Sequence, residues 1–238
     1  MKYNIYKSES RGYANHGWLE AKHSFSFADY FDTTRMNFGV LRVLNNDIIA
    51  PGKGFGTHPH DNMEIITIPL EGALSHKDSM GNSSTIHAGE IQVMSAGSGI
   101  YHSEFNASNT NPIELFQIWI YPNKKNVEPR YQQISLQNIS SENSLYQILS
   151  PHANDSGVWI YQDAWMHMGN FTNDTDCTYK VHRANTGIYI MVIDGEISIE
   201  SIALSKRDAI AIWDSDEVRI RAHAHSKILI IEVPFNDA

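Results

Sequence analysis

Twelve histidines are spread over the 238 residues, and the chemistry open to the chain depends on which of them can meet. His58-Pro59-His60 follows the glycine-rich stretch Gly52-Lys53-Gly54-Phe55-Gly56 and precedes an apolar run from Met63 to Leu70. In an extended chain, residues i and i+2 project from one face, so both imidazoles point the same way, and Glu64 keeps that parity. Tyr101-His102-Ser103-Glu104 repeats the spacing with a carboxylate in second place, again behind a glycine-rich turn, Ser95-Ala96-Gly97-Ser98-Gly99. Two such pairs on neighbouring strands offer three imidazole nitrogens and one carboxylate oxygen to a single ion. That donor set suits Fe(II), Mn(II), Ni(II), Cu(II) or Zn(II) and leaves room on the ion for substrate or O₂. A bare His-x-His is a weak signal on a protein surface; the second pair, and the glycines framing both, give it weight.

The elements that must position these pairs are strands. Period-2 alternation and β-branched residues fill Phe38 to Ile49, Met63 to Leu70, Glu114 to Tyr121, Ile188 to Ile193, Glu217 to Ala222 and Lys227 to Val233. In Glu217 to Ala222, Val218, Ile220 and Ala222 share one face, opposite Glu217, Arg219 and Arg221. Turn signals punctuate the runs at Asn45-Asn46-Asp47, Glu71-Gly72, Gly81-Asn82 and Asp194-Gly195. Ser140 to Leu149 is the one fair helix candidate. Many short strands without intervening helices read as an all-β barrel or sandwich.

The polar stretch Pro122 to Asn138 reads as a linker and divides the chain into domains at 1–125 and 126–238. The two sides resemble each other. Leu70-Glu71-Gly72 and Trp119-Ile120-Tyr121-Pro122 on one side correspond to Ile193-Asp194-Gly195 and Ile231-Glu232-Val233-Pro234 on the other, the pattern of a duplicated β-domain. Counting back from the two turn glycines places Val181 and Arg183 where the first half has His58 and His60, and counting on from Glu90 and Asp208 places Ile220 and Ala222 where it has His102 and Glu104. The second half is therefore expected to bind no metal; only a slip of register would bring in His182, His223 or His225.

Composition narrows the partners. With 18 Lys and Arg against 27 Asp and Glu, the formal net charge is −9, and no basic run exceeds a pair, which argues against direct nucleic-acid binding. The longest apolar runs fall far short of the ~20 residues that span a bilayer. A polar start without an apolar stretch and a single cysteine, Cys177, suit a reducing compartment, so a cytoplasmic location is expected. Cys177 reads as part of a polar loop and not as a nucleophile. Trp159, Trp165 and Trp213 read as core of the second domain, and His16, His23 and His76 as structural hydrogen-bonders.

Taken together, Gly52-x5-His58-x-His60-x3-Glu64-x7-Gly72 and Gly89-x5-Ser95-x-Gly97-x4-His102-x3-Asn106 resemble the two signature motifs of the cupin superfamily. Ser95 stands where the general pattern has proline. More narrowly, His16 to Leu19, His23 to Tyr30, Phe38 to Leu44, the His58 block, His76 to Asn82 and Ser98 to Glu104 resemble the pirin family. The match runs from about Gly12 to Pro122, and the looser second half looks most like the bacterial branch assigned quercetin 2,3-dioxygenase activity.

That resemblance implies a bicupin of two jelly-roll-like β-barrels. It also implies one divalent ion held by His58, His60, His102 and Glu104, iron first, with Mn, Ni, Cu, Co or Zn as alternatives. Glu64 is then a supporting or structural carboxylate. The implied reaction is opening of a flavonol ring by O₂ with release of carbon monoxide, Glu104 serving also as general base. Tyr101, Met63 and Phe38 are candidates for the apolar walls of the pocket, with ordinary core packing the preferred reading of each. Two other classes remain: a metal-dependent binding partner of a transcription factor or metabolic enzyme, docking through the second domain, and another cupin reaction such as an isomerase. A monomer or weak oligomer is expected.

Overall fold

The computed structural model describes residues 1–235. Three strands, β1 (Lys2–Tyr6), β2 (Gly12–Asn15) and β3 (Leu19–His23), precede a first set of eight: β4 (Leu41–Ile49), β5 (Gly54–His60), β6 (Glu64–Glu71), β7 (Ala73–Asp78), β8 (Ser83–His87), β9 (Glu90–Ser95), β10 (Ile100–Asn106) and β11 (Ile113–Ile120). Three more follow, β12 (Arg130–Ser135), β13 (Leu145–Ser150) and β14 (Val158–Trp159). The second set of eight is β15 (Trp165–Phe171), β16 (Thr175–Lys180), β17 (Thr186–Asp194), β18 (Glu196–Ile199), β19 (Ile202–Ser205), β20 (Ala209–Trp213), β21 (Glu217–Ala222) and β22 (Ser226–Pro234).

The duplication is visible in strand order. A seven-stranded sheet running β12-β9-β6-β11-β4-β3-β2 faces a four-stranded sheet running β5-β10-β7-β8, and their counterparts run β1-β20-β17-β22-β15-β13-β14 and β16-β21-β18-β19. The β6–β7 and β17–β18 hairpins turn at Gly72 and Gly195, with φ of +79° and +74°, a conformation that glycine adopts without a Cβ penalty. The domains are two-sheet sandwiches of the jelly-roll-like cupin form expected, and their sheets do not close into barrels. Each borrows its edge strand: β1 pairs with β20 of the second domain, and β12 pairs with β9 of the first.

Three expectations are corrected here. Arg130 to Ser135, placed in a linker, is a strand that completes the first sheet. Ser140 to Leu149 is not helical; its apolar end belongs to β13, where a register shift between Gln147 and Leu149 turns consecutive residues inward and imitates helical spacing. Cys177 lies in β16 opposite Ile220 rather than in a loop, and burial pushes its thiol up to about 11, which leaves it a poor nucleophile.

The two large sheets pack against each other through their outer faces. Ile66, Phe116 and Ile118 of the first domain meet Met166, Tyr189 and Ile231 of the second in one shared core. The inner faces differ. The second sandwich is filled by Ile188, Ile190, Val192, Ile210, Ile228 and Ile230 with their partners on the small sheet. The first has only two small apolar clusters, one around Leu19, Ile49, Leu74 and Leu115 and the other around Ile65, Met94 and Ile100. Polar side chains and a cavity lie between them. No helix of the described residues is long and apolar enough to cross a membrane.

Candidate metal centre

Strands β5 and β10 carry the histidines. Their antiparallel register sets His58 directly opposite His102 and His60 opposite Ile100, with a register shift between His102 and Glu104. The strands approach so closely there that a Cβ on Gly54 would lie 2.1 Å from the Glu104 carbonyl oxygen. The imidazoles of His58, His60 and His102 gather with ring centroids 4.4–4.9 Å apart. One ring nitrogen from each lies within 4.8 Å of the others.

Hydrogen bonding shows which atoms are free. His58 Nδ1 lies 2.8 Å from the Gly56 carbonyl and, as donor to it, leaves Nε2 with its lone pair. The Nε2 of His60 and both ring nitrogens of His102 are buried without a partner. Buried polar atoms are rarely left so unless something absent from the protein chain satisfies them. Burial, reinforced by the neighbouring imidazoles, lowers the pKa of His60 to about 4 and that of His102 further. Both rings are therefore neutral near pH 7, the form that donates to a metal.

Glu104 is fully enclosed, and burial raises its carboxyl to about 7 against the opposing pull of Gln117 and Thr67. The Gln117 amide donates to its two oxygens at 3.0 and 3.3 Å, while Thr67 donates to the Gln117 carbonyl oxygen at 3.1 Å. Glu104 joins His102 and His76 in a second trio of the same closeness. The four residues anticipated as one set are thus divided between two trios that share His102, the second completed by His76. His76, read as structural, lies beside Asp78 at 3.3 Å with its Nδ1 unpartnered. Three imidazoles with free nitrogens and an adjacent carboxylate fit a divalent transition metal.

Beside the centre lies a cavity of about 220 Å³ whose lining includes Phe27, Asp47, Phe55, His58, His60, Glu104, Gln117 and Trp119. A second recess of about 460 Å³ shares Leu19, Ala21, His23, Phe27 and Phe55 with it. The candidate wall residues are elsewhere, Phe38 and Met63 in the core packing preferred for them. Phe38 is in the core between the domains, against Tyr189, Trp213 and Phe235. Tyr101 has the parity opposite to His102 and is 57% exposed. Met63 packs on the cluster of Ile65 and Met94. Glu64 is on the outer face of its sheet, paired with Ser95, whose hydroxyl donates to it at 2.6 Å. His23 does line the cavity and bonds Asn45 at 2.9 Å.

Asn45, Asp47, Gln117 and Trp119 went unread as site residues. The signal for them was available: they alternate along two strands whose inward face the histidines already define.

Among the described residues the second domain has no such centre. Matching the strands from Gly72 and Gly195 pairs His58 with Tyr179, His60 with Val181, His102 with Val218 and Glu104 with Ile220. The counted positions were two residues out on both strands, and the replacements are non-ligands all the same. A polar network stands at the end of that sandwich: buried Glu232 accepts from Tyr179 and His182, each at 2.8 Å. Trp165 stacks on His182 with centroids 4.8 Å apart.

Residues 6–120 match the Pirin family model and residues 147–233 the Quercetinase C-terminal cupin domain. A quercetin 2,3-dioxygenase of Escherichia coli (strain K12) is 42% identical over 96% of this chain and 97% of its own. The chain belongs to the pirin family. A pirin-like protein of Caulobacter vibrioides is 36% identical, covering 93% of this chain and 95% of that relative. The crystal structure of bacterial pirin YhhW from E. coli in complex with nickel(II) superposes with a TM-score of 0.93 at 40% identity, over 98% of this chain and 100% of that one. The chain therefore aligns along both its domains with relatives named as quercetin 2,3-dioxygenases, several of them with the word putative in the name.

Proposed function

We propose that this protein is a metal-dependent dioxygenase that opens the heterocyclic ring of flavonols such as quercetin with O₂, yielding carbon monoxide and the ring-opened ester. The observation that carries the proposal is the junction of three free imidazole nitrogens and a buried carboxylate with a largely apolar cavity. His58, His60, His102 and Glu104 hold the ion, for which Fe(II) is the first choice and Mn, Ni, Cu, Co or Zn the others. When bound, such an ion acidifies a coordinated hydroxyl and gives access to O₂ chemistry.

The chain's own residues do the remainder. Phe27, Phe55 and Trp119 supply flat apolar walls for an aromatic ligand and keep water from it. Glu104 takes the proton of the substrate's 3-hydroxyl, which lies within reach of a carboxylate that faces the cavity. Gln117 fixes the direction in which that carboxylate faces.

The test is loss of quercetin and release of carbon monoxide in air by purified protein loaded with each metal in turn, with His102→Ala as control. Turnover that the substitution abolishes supports the reading. A fully loaded protein that consumes no flavonol would overturn it and leave a metal-dependent binding role in its place.

A further inference from the structure

The inward face of the first large sheet is a grid of rungs. One rung crosses His23, Asn45 and Gln117, and the next crosses Ala21, Asp47 and Leu115. The first is internally satisfied: His23 bonds Asn45, and Gln117 bonds Thr67 and Glu104. The second places a carboxyl between an alanine and a leucine. Asp47 is 5% exposed, lines the cavity, and its Oδ1 has no hydrogen-bond partner. Its neighbours along the strand are Asn45, engaged with His23, and Ile49, which has nothing to offer. Burial, with a lesser push from Glu104, raises the Asp47 carboxyl to about 7. A carboxyl kept in an apolar lining at such a cost is commonly matched by a ligand group.

We propose that Asp47 is a specificity-determining residue that hydrogen-bonds a ring hydroxyl of a polyhydroxylated aromatic ligand in the apolar end of the cavity, among Ala21, Ile49, Leu74 and Leu115. The inference rests on the flavonol reading for the identity of the ligand, and it makes the cavity select for hydroxyls beyond the 3-hydroxyl. An aromatic without such a hydroxyl leaves the carboxyl buried and unpaired, so discrimination arises from the penalty on the wrong ligand as much as from the bond to the right one.

The probes are quercetin and 3-hydroxyflavone, which share the 3-hydroxy-4-keto edge and differ in their other hydroxyls. Affinities are measured by calorimetry on iron-loaded protein without O₂, so that no turnover intervenes. The wild type is expected to prefer quercetin by about tenfold or more. Asp47→Leu is expected to bring the ratio within about threefold of unity, chiefly by weakening quercetin, and Asp47→Asn to reduce it less. If the leucine variant does not fold, the asparagine variant decides alone, by whether its ratio falls. A wild-type ratio near unity, or a ratio that neither variant changes, overturns the proposal. Parallel assays in air separate it from the reading on which it rests. Ratios that respond to Asp47 in a protein without turnover reject the dioxygenase and keep the role of Asp47, whereas turnover with unresponsive ratios does the reverse.

Discussion

The Gln117 amide spans both oxygens of Glu104, and Thr67 holds the other end of that amide, so the carboxylate is oriented by a residue that offers no ligand atom of its own. Gln117→Leu removes the donors while keeping bulk. Groups that orient metal ligands typically contribute 10–100-fold to metal affinity or activity. A loss of about that size is expected, read as the chelator concentration needed to strip the ion and as kcat with quercetin. Thermal stability should change little by comparison. An unchanged chelator midpoint would show that Glu104 is held elsewhere.

His102 belongs to both trios of candidate ligands, so its loss should matter more than that of either neighbour. His102→Ala is expected to fall from about one tightly held ion per chain to about a tenth or less. Elemental analysis after dialysis reads the stoichiometry, and circular dichroism checks that the sheets persist. His76→Ala serves as comparison: it removes a member of one trio only and should retain most of the ion. If His102→Ala keeps a full complement of metal, the centre is not built on these imidazoles.

Much of this centre was legible because two short-range rules fixed it. The i, i+2 parity put His58 with His60 and His102 with Glu104, and the glycines marked where the strands begin. The cavity was less legible for a single physical reason. Asn45-Asn46-Asp47 has the composition of a turn, yet it runs through the middle of β4, with all three residues buried. Tertiary context overrode propensity there because each inner side chain found a partner or faced the cavity, and Asn46, on the other face, donates to Glu114 at 2.9 Å. Phe38 is the opposite case, a wall candidate for which the preferred reading of core packing holds. Its segment matched the family, but the match reflected packing between the domains, where a Cβ on Gly187 would meet its ring at 2.4 Å. Ser95, which stands where the general cupin pattern has proline, ends β9 and supplies the hydrogen bond that Glu64 needs.

That pair gives stability a dependence on pH. Burial raises the Glu64 carboxyl from 4.5 to about 7, against the opposing pull of Ser95 and Arg130. The folded protein thus binds a proton more tightly than the unfolded chain. The contribution is full below pH 4.5 and is lost as pH rises through 7, with a limit of about 3 kcal/mol for such a shift. In urea the metal-free wild type is expected to lose stability relative to Glu64→Gln, which keeps an acceptor for Ser95 and cannot ionise, as pH rises from 5.5 to 8.5. Comparing the two proteins removes the opposite contribution of His60 and His102, whose lowered pKa values favour the higher pH. Equal slopes in the two proteins would assign the dependence to other groups.

The counterpart of the metal centre in the second domain is occupied by Val181, Val218, Ile220 and Tyr179, and the polar residues near it serve cohesion. Buried Glu232 accepts hydrogen bonds from the Tyr179 hydroxyl, the His182 ring and backbone, the Arg183 backbone and the Thr186 hydroxyl. These bonds, His182 foremost, hold its carboxyl below the usual range despite burial. Glu232→Leu would leave those donors without an acceptor. Removing one member of a buried polar network costs about 2–5 kcal/mol, so a loss of that order is expected in the urea-derived unfolding free energy. Glu232→Gln, which retains one carbonyl acceptor, should lose less. Metal stoichiometry should be the same in both variants as in the wild type, because the His58–His102 centre lies in the other sandwich and shares no hydrogen bond with Glu232. A variant that kept its stability but lost its ion would invert this division of labour and place part of the metal chemistry in the second domain.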